Sequence, residues 1–241
     1  MSSPYLYLWL MAASAAYPLA QSFEHRLQYY KSFGRLSLAI LGGMLLFVPW
    51  DIWFTTRGVW GFNPDYTAGG YLFGLPLGEW LFFIVIPFAC IFIYRVLNYF
   101  VKRDVLANYK LTISRFLLTF SVAMAIIHFE KAYTFWTFAF LAVLTALHLN
   151  MKRTYMSRFY LAFVVVLIPF FVINGILTGT GIEDEVVWYN NEENMGIRLL
   201  TIPVEDIFYG MLLVMLNVTI YEELKGRFGF PGPKAADRPV Q

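Results

Sequence analysis

The chain contains the same membrane-length segment twice. Residues 75–97 align without a gap on residues 202–224 at a constant separation of 127 residues, which places Pro76 opposite Pro203. Each copy has carboxylates two or three residues after its proline, at the head of an apolar run. Acidic side chains at membrane depth are costly and usually functional. The duplication therefore predicts that these carboxylates share one role.

The composition is typical of an integral membrane protein. Of the 241 residues, 59% are hydrophobic and 14% are charged. Apolar runs long enough to cross a bilayer recur along the chain. The predicted spans are residues 4–20, 36–54, 75–97, 112–129, 132–149, 159–177 and 199–221. We therefore predict an all-α integral membrane protein with seven transmembrane helices.

The positive charges are distributed unevenly between the loops. Fifteen of the 18 Lys and Arg residues lie in four segments, which are residues 21–35, 95–115, 150–158 and 222–241. Because cytoplasmic loops carry the excess of Lys and Arg, this bias predicts an N-terminus outside and a cytoplasmic C-terminus in the plasma (inner) membrane. The net charge of +2 is thus a signal of topology and does not indicate nucleic-acid binding.

The repeat extends upstream of the two proline helices. Residues 35–51 map onto residues 158–174 at a separation of 123. In the following loops, residues 60–63 resemble residues 188–191 at a separation of 128, with a Trp leading each stretch. Small differences between the separations are what loop insertions produce. The first three predicted spans therefore match the last three.

The fourth predicted span has a topological reason. Three crossings invert the chain, so one additional helix makes the two repeats parallel, a 3+1+3 arrangement. The predicted divisions are residues 1–100 for the first repeat, 101–131 for a cytoplasmic loop and linker helix, 132–225 for the second repeat, and 226–241 for a disordered tail. Parallel repeats would bring equivalent acids to the same depth, near the outer interface, around one shared cavity.

The candidate catalytic groups are carboxylates near the outer ends of the helices. They are Glu79, Glu205, Asp206 and Asp51, with Asn174 as the polar counterpart of Asp51 in the second repeat. Pro76 and Pro203 are predicted to fix where their helices begin. A simpler interpretation is that the acids only complement the positive helix N-termini, at roughly 0.3–1 kcal/mol each. A carboxyl kept protonated by crowding and burial would instead be a usable general acid.

Aromatic side chains cluster near the same ends. The candidates for contact with a substrate are Trp60, Trp80, Phe82 and Tyr209, together with the polar side chains of Asn63 and Asn174. Aromatic rings can stabilise a cation at roughly 0.5–2 kcal/mol each. The alternative is an aromatic belt at the membrane interface, which needs no substrate.

The sequence contains no pattern that indicates a cofactor. The three histidines, His25, His128 and His148, are scattered, and no pair has ligand spacing on one helix. No glycine-rich phosphate loop or GxGxxG motif occurs. We therefore expect neither a metal nor a nucleotide cofactor.

Four short stretches resemble the membrane-embedded lycopene β-cyclases. They are Pro49-Trp50-Asp51, Gly58-Val-Trp60-Gly-Phe-Asn63, Leu75-Pro-Leu-Gly-Glu79-Trp-Leu-Phe-Phe83 and Ile202-Pro-Val-Glu205-Asp206-Ile-Phe-Tyr209. In that family, two homologous three-helix units occur as separate subunits or as one fused chain. This sequence resembles the fused form over roughly residues 1–225.

The resemblance implies a non-redox, proton-initiated cyclisation of lycopene ψ end groups to β-ionone rings, which gives γ-carotene and β-carotene. The family's acids carry over to Glu79, Glu205 and Asp206, with Asp51 as a further candidate. The implied partners are a lipophilic carotenoid from the bilayer, membrane lipid, and other carotenoid enzymes. Many relatives have two adjacent acids after the first proline, whereas Gly78 occupies the first of those positions here.

Other functions fit parts of the pattern. The 3+1+3 topology alone would suit a small-solute transporter with parallel repeats, although the Pro-Gln turns of small sugar carriers are absent from the sequence. A structural subunit for another carotenoid enzyme is a further alternative. Within the family, the substrate could be a different acyclic carotenoid.

Overall fold

The computed structural model describes residues 3–227, so the predicted disordered tail lies, from residue 228 onward, outside the described residues. Seven α-helices form in this range: α1 (Leu6–Gln21), α2 (Phe33–Arg57), α3 (Leu77–Phe100), α4 (Lys110–Ile127), α5 (Ala132–Met151), α6 (Met156–Leu177) and α7 (Val204–Glu223). Each coincides with a predicted span to within a few residues. Helices satisfy their backbone hydrogen bonds internally, as a lipid-embedded segment requires.

Six of the seven helices, α2 to α7, are long and apolar enough to cross a membrane. The helix α1 has 16 residues and is shorter than these six. A helix rises 1.5 Å per residue, and spans of about 17–25 residues match the hydrocarbon thickness. The all-helical, multi-pass prediction is therefore confirmed, while a count of seven crossings stays a prediction.

Six short strands connect the helices at one end of the bundle. They are β1 (Trp60–Phe62), β2 (Tyr71–Leu72), β3 (Leu75–Pro76), β4 (Val187–Tyr189), β5 (Arg198–Leu199) and β6 (Ile202–Pro203). The β2–β3 hairpin leads directly into α3, and the β5–β6 hairpin leads directly into α7. Pro76 and Pro203 are the last residues before these helices, so both prolines mark the helix starts as predicted.

The repeat is visible in the element boundaries and in the packing. The starts of α1 and α5, α2 and α6, and α3 and α7 are separated by 126, 123 and 127 residues. Within the units, α1 packs on α3 and α5 packs on α7; between them, α2 packs on α7 and α6 packs on α3. The two units are thus related by an approximate twofold axis, while α4 packs mainly against α5, outside both.

The outer loops of the two units meet in the antiparallel pair β1–β4. Gly61 lies opposite Trp188 at the centre of the pair. This register makes the two strands equivalent at a separation of 127 residues, so the predicted match of residues 60–63 with residues 188–191 is wrong by one residue. A Cβ at Gly61 would lie 2.3 Å from the Trp188 ring, so the indole packs where only glycine leaves room.

Candidate active site

A cavity of about 550 Å³ lies between α1, α3, α6 and α7. The strands β1 and β4 cover its outer end with side chains from both units. Three carboxyl groups line this end: Asp51 and Glu79 from the first repeat, and Asp206 from the second. All three are buried. The structure therefore brings acids of both halves to one cavity.

Glu79 lies in the first turn of α3 and accepts a hydrogen bond from the hydroxyl of Tyr7 on α1. This close approach depends on Gly78, because a Cβ there would lie 2.5 Å from Cγ of Tyr7. Glycine at this position thus lets α1 pack against α3 and aims the Tyr7 hydroxyl at Glu79.

Asp51 is 1% exposed and lies on α2, beside the carboxyl group of Glu79. Its Oδ1 accepts hydrogen bonds from Nε1 of Trp60 at 2.6 Å and from the hydroxyl of Thr55 at 3.4 Å. Its Oδ2 is buried and has no hydrogen-bond partner within residues 3–227. The first repeat thus contributes two adjacent carboxyl groups with few donors between them.

Asp206, in the first turn of α7, has a different environment. It accepts hydrogen bonds from the hydroxyls of Tyr133 at 2.5 Å and Tyr189 at 3.0 Å, and from Nδ2 of Asn174 at 2.7 Å. Burial raises the pKa of Tyr189 above its usual range, and the nearby Asp206 charge raises it further, so this hydroxyl keeps its proton. Three donors converge on one carboxylate, which is the arrangement that stabilises an anion.

The tyrosine partners form a second repeated feature, which the sequence analysis missed. Tyr7 on α1 serves Glu79, and Tyr133 on α5 serves Asp206. The two tyrosines occupy equivalent positions, since they are separated by the same 126 residues as the starts of α1 and α5. Extending the internal alignment to the first and fifth helices would have revealed this pair.

Glu205 is buried but does not line the cavity. Its Oε1 accepts hydrogen bonds from the hydroxyl of Thr134 at 2.6 Å and from the backbone N–H of Met195 at 2.7 Å. It therefore connects the start of α7 to α5 and to the preceding outer loop. Gly78 is its equivalent in the first repeat, where the Tyr7 ring takes up the space.

The predicted aromatic and amide contacts divide into two groups. Trp60, Phe82, Tyr209 and Asn174 line the cavity. Trp80 is outside it and donates to the carbonyl of Leu72 at 3.2 Å. Asn63 also lies outside, where its side chain accepts from the backbone N–H of Asp65 at 3.0 Å.

Away from the acids, the cavity is apolar and reaches the surface of the helix bundle between α1 and α6. Tyr17 and Val172 line the cavity and are 68% and 58% exposed. Ala13 and Pro169 are likewise both exposed and cavity-lining. The mouth therefore lies on the apolar flank of the bundle, between two helices, at the depth of the hydrocarbon.

Comparisons with known proteins agree with this geometry. No curated protein and no solved structure matches the chain. The family model described as lycopene cyclase matches it twice, over residues 4–97 and 130–224. These segments are the two structural repeats, and α4 lies between them. Because the matches cover more than half of the sequence, the chain belongs to the lycopene cyclase family, with both homologous units fused in one polypeptide.

Proposed function

We propose that this carotenoid cyclase is a lycopene β-cyclase, which converts the open ψ end groups of lycopene into β-ionone rings. One observation carries the proposal. Asp51, Glu79 and Asp206 lie together at the covered end of an otherwise apolar cavity whose mouth opens between two lipid-facing helices. Such a site suits a hydrocarbon that dissolves in the bilayer and needs proton transfer at one end.

The proposed reaction is an isomerisation with no net change of atoms or electrons. A proton adds to the CH carbon of the terminal alkene and leaves a tertiary cation. The neighbouring double bond attacks this cation, so a carbon–carbon bond closes the ring and the charge moves to a ring carbon. Loss of a proton from the adjacent ring carbon then forms the ring double bond. The protein must supply an acid, a base and a dry environment.

The adjacent carboxyl groups of Asp51 and Glu79 are the proposed proton donor. Two carboxylates held side by side in a buried site repel each other, and one shared proton removes that repulsion. The unpartnered Oδ2 of Asp51 supports this assignment, because a proton between the two groups would provide its missing hydrogen bond. Tyr7 orients Glu79 from the other side.

Asp206 is the proposed base. Its three hydrogen-bond donors favour a carboxylate over a neutral acid, so it faces the cavity as an anion that can stabilise the cation and accept the ring proton. Tyr133 and Asn174 act as positioning residues, since their contacts hold Asp206 rather than the substrate. The proton that the base removes decides the ring type, and the β ring results from removal at the ring-junction carbon.

The aromatic rings at the covered end are the proposed cation-stabilising surface. Trp60 and Tyr209 have ring centroids 5.9 Å apart, and Phe82 lies one turn along α3 from Glu79. Aromatic faces contribute roughly 0.5–2 kcal/mol each to a nearby cation. The same rings help to exclude water that would trap the intermediate as an alcohol.

We further propose the parallel 3+1+3 arrangement with seven crossings, the N-terminus outside and the acids near the outer face. The approximate twofold relation and the bias of 15 in 18 positive residues support it. A small-solute transporter with this topology would need a polar route, whereas the cavity wall below the three acids is mainly apolar. A different acyclic carotenoid with the same end group would fit the same site.

Expression in a bacterial host that accumulates lycopene tests the function. We expect the extracted pigments to contain monocyclic and bicyclic β-ring products, identified by chromatography, absorption spectra and mass. The amount of protein in the membrane fraction is measured in parallel. Unchanged lycopene beside abundant, folded protein would contradict the proposal, and conversion of another acyclic carotenoid alone would redirect it to that substrate.

A further inference from the structure

The two repeats differ sharply at the place where symmetry would create a second cavity. The working cavity lies beside α1 and α6, whose counterparts are α5 and α2. Three lining residues of the cavity are small or aliphatic and have aromatic counterparts on the other side. The pairs are Ser14 with Phe140, Ile173 with Trp50, and Gly210 with Phe83, by the separations of their helix starts.

These aromatic counterparts pack together and fill the equivalent space. Trp50 and Phe140 have ring centroids 5.1 Å apart. Phe47 joins them, with its centroid 5.6 Å from Trp50 and 6.3 Å from Phe83. Phe47, Trp50 and Phe83 are all buried. A ligand cannot occupy this side without displacing close-packed rings, which is energetically costly.

The acids obey the same asymmetry. Asp51 and Glu79 come from the first repeat and Asp206 from the second, yet all three line the one cavity between α1 and α6. The outer end of that cavity is covered by side chains of β1 and β4, among them Trp60 and Val187. An elongated substrate that places one end group beneath these strands must therefore leave its remaining length in the mouth or in the lipid.

From this geometry we infer that the cyclase has one working pocket and processes a two-ended substrate one end at a time. After the first ring closes, the monocyclic product leaves through the mouth between α1 and α6, reverses in the bilayer and rebinds by its open end. The inference rests on the proposed function, because it assumes that the cavity holds a carotenoid end group. The volume of about 550 Å³ lies within the range of roughly 300–1,000 Å³ that holds single drug-sized ligands.

Isotope dilution tests the release step. The full chain in lipid vesicles is given labelled lycopene together with an excess of unlabelled monocyclic intermediate. We expect the labelled fraction of the bicyclic product to fall in proportion to the dilution, and a reaction that stops at one ring would also support a single pocket. Bicyclic product with undiluted label would overturn the inference while leaving the cyclase function intact. Absence of any cyclised product would reject both.

A substitution taken from the protein's own second repeat tests the side of the pocket. Ser14→Phe introduces the side chain that fills the equivalent space at Phe140, and we expect ring formation per folded molecule to fall by about tenfold or more. Ala12→Phe is the matched control, because Ala12 is exposed on the same helix and does not line the cavity. We expect it to cyclise like the unaltered protein.

The two variants are compared by pigment analysis and by thermal unfolding in detergent, so a folding defect is recognised separately. Normal ring formation by Ser14→Phe, or an equal loss in both folded variants, would contradict a pocket beside α1. If Ser14→Phe does not fold, the isotope experiment on the unaltered protein decides the inference without it.

Discussion

Replacing Glu79 by Gln is expected to lower the rate of ring formation by about 10²–10⁴-fold, the usual contribution of general acid–base catalysis. The amide keeps nearly the same shape but cannot share a transferable proton with Asp51. It also presents an NH₂ group or a carbonyl to the Tyr7 hydroxyl, so packing against α1 is largely retained. The measurement is the initial rate of ring formation per folded molecule in lipid vesicles.

The control for this variant is Glu183→Gln, which removes a negative charge from an exposed position in an outer loop. We expect its rate to equal that of the unaltered protein. If Glu79→Gln retained normal activity, the first-repeat acid would only complement the N-terminus of α3. A parallel loss in Glu183→Gln would indicate a general electrostatic effect rather than a role in the cavity.

Replacing Asp206 by Asn is the second change with a large expected effect. It removes the proposed base and places an NH₂ group among three hydrogen-bond donors, those of Tyr133, Tyr189 and Asn174. We expect a rate loss of about 10²–10⁴-fold and a stability loss of about 1–3 kcal/mol from the unsatisfied groups. Ring formation and thermal unfolding are both measured.

Tyr133→Phe is the graded companion of this variant. It removes one of the three donors to Asp206 and leaves the carboxylate in place, so we expect a smaller loss, on the order of tenfold. A loss in Tyr133→Phe as large as that in Asp206→Asn would mean that the phenol itself transfers a proton. Unchanged activity in Asp206→Asn would remove the base from the mechanism.

Much of this fold follows from features that single sequences display well. Membrane-length apolar runs predict helices because lipid offers no other partner to the backbone. The alignment of residues 75–97 with residues 202–224 predicted the equivalence of α3 and α7, and the prolines marked their starts. The meeting of Glu79 and Asp206 in one cavity was also predicted, from the parallel repeat.

The direction of individual side chains was predicted less well, although helix geometry explains the outcome. Consecutive residues on an α-helix point about 100° apart, because one turn contains 3.6 residues. Glu205 therefore faces away when Asp206 faces the cavity, and Trp80 faces away when Glu79 does. Phe82 and Tyr209, three residues after these acids, share their face and line the cavity.

Features that depend on contacts between distant segments could not be predicted from the two proline helices alone. The hydroxyls of Tyr7 and Tyr133 reach acids more than 70 residues away. The pairing of β1 with β4 rests on three residues in each strand, too few to give an alternating pattern. Its register depends on the Trp188 ring packing over Gly61, which becomes visible only when both loops are placed.

Ring formation in D₂O tests most directly whether acids of both repeats perform proton transfer in one dry pocket. The carbon that receives the proton keeps it, so we predict one deuterium in every ring that the protein closes, detected by mass spectrometry. Products that have gained the elements of water should be negligible. Rings without deuterium, or hydrated acyclic products as the main outcome, would contradict the account.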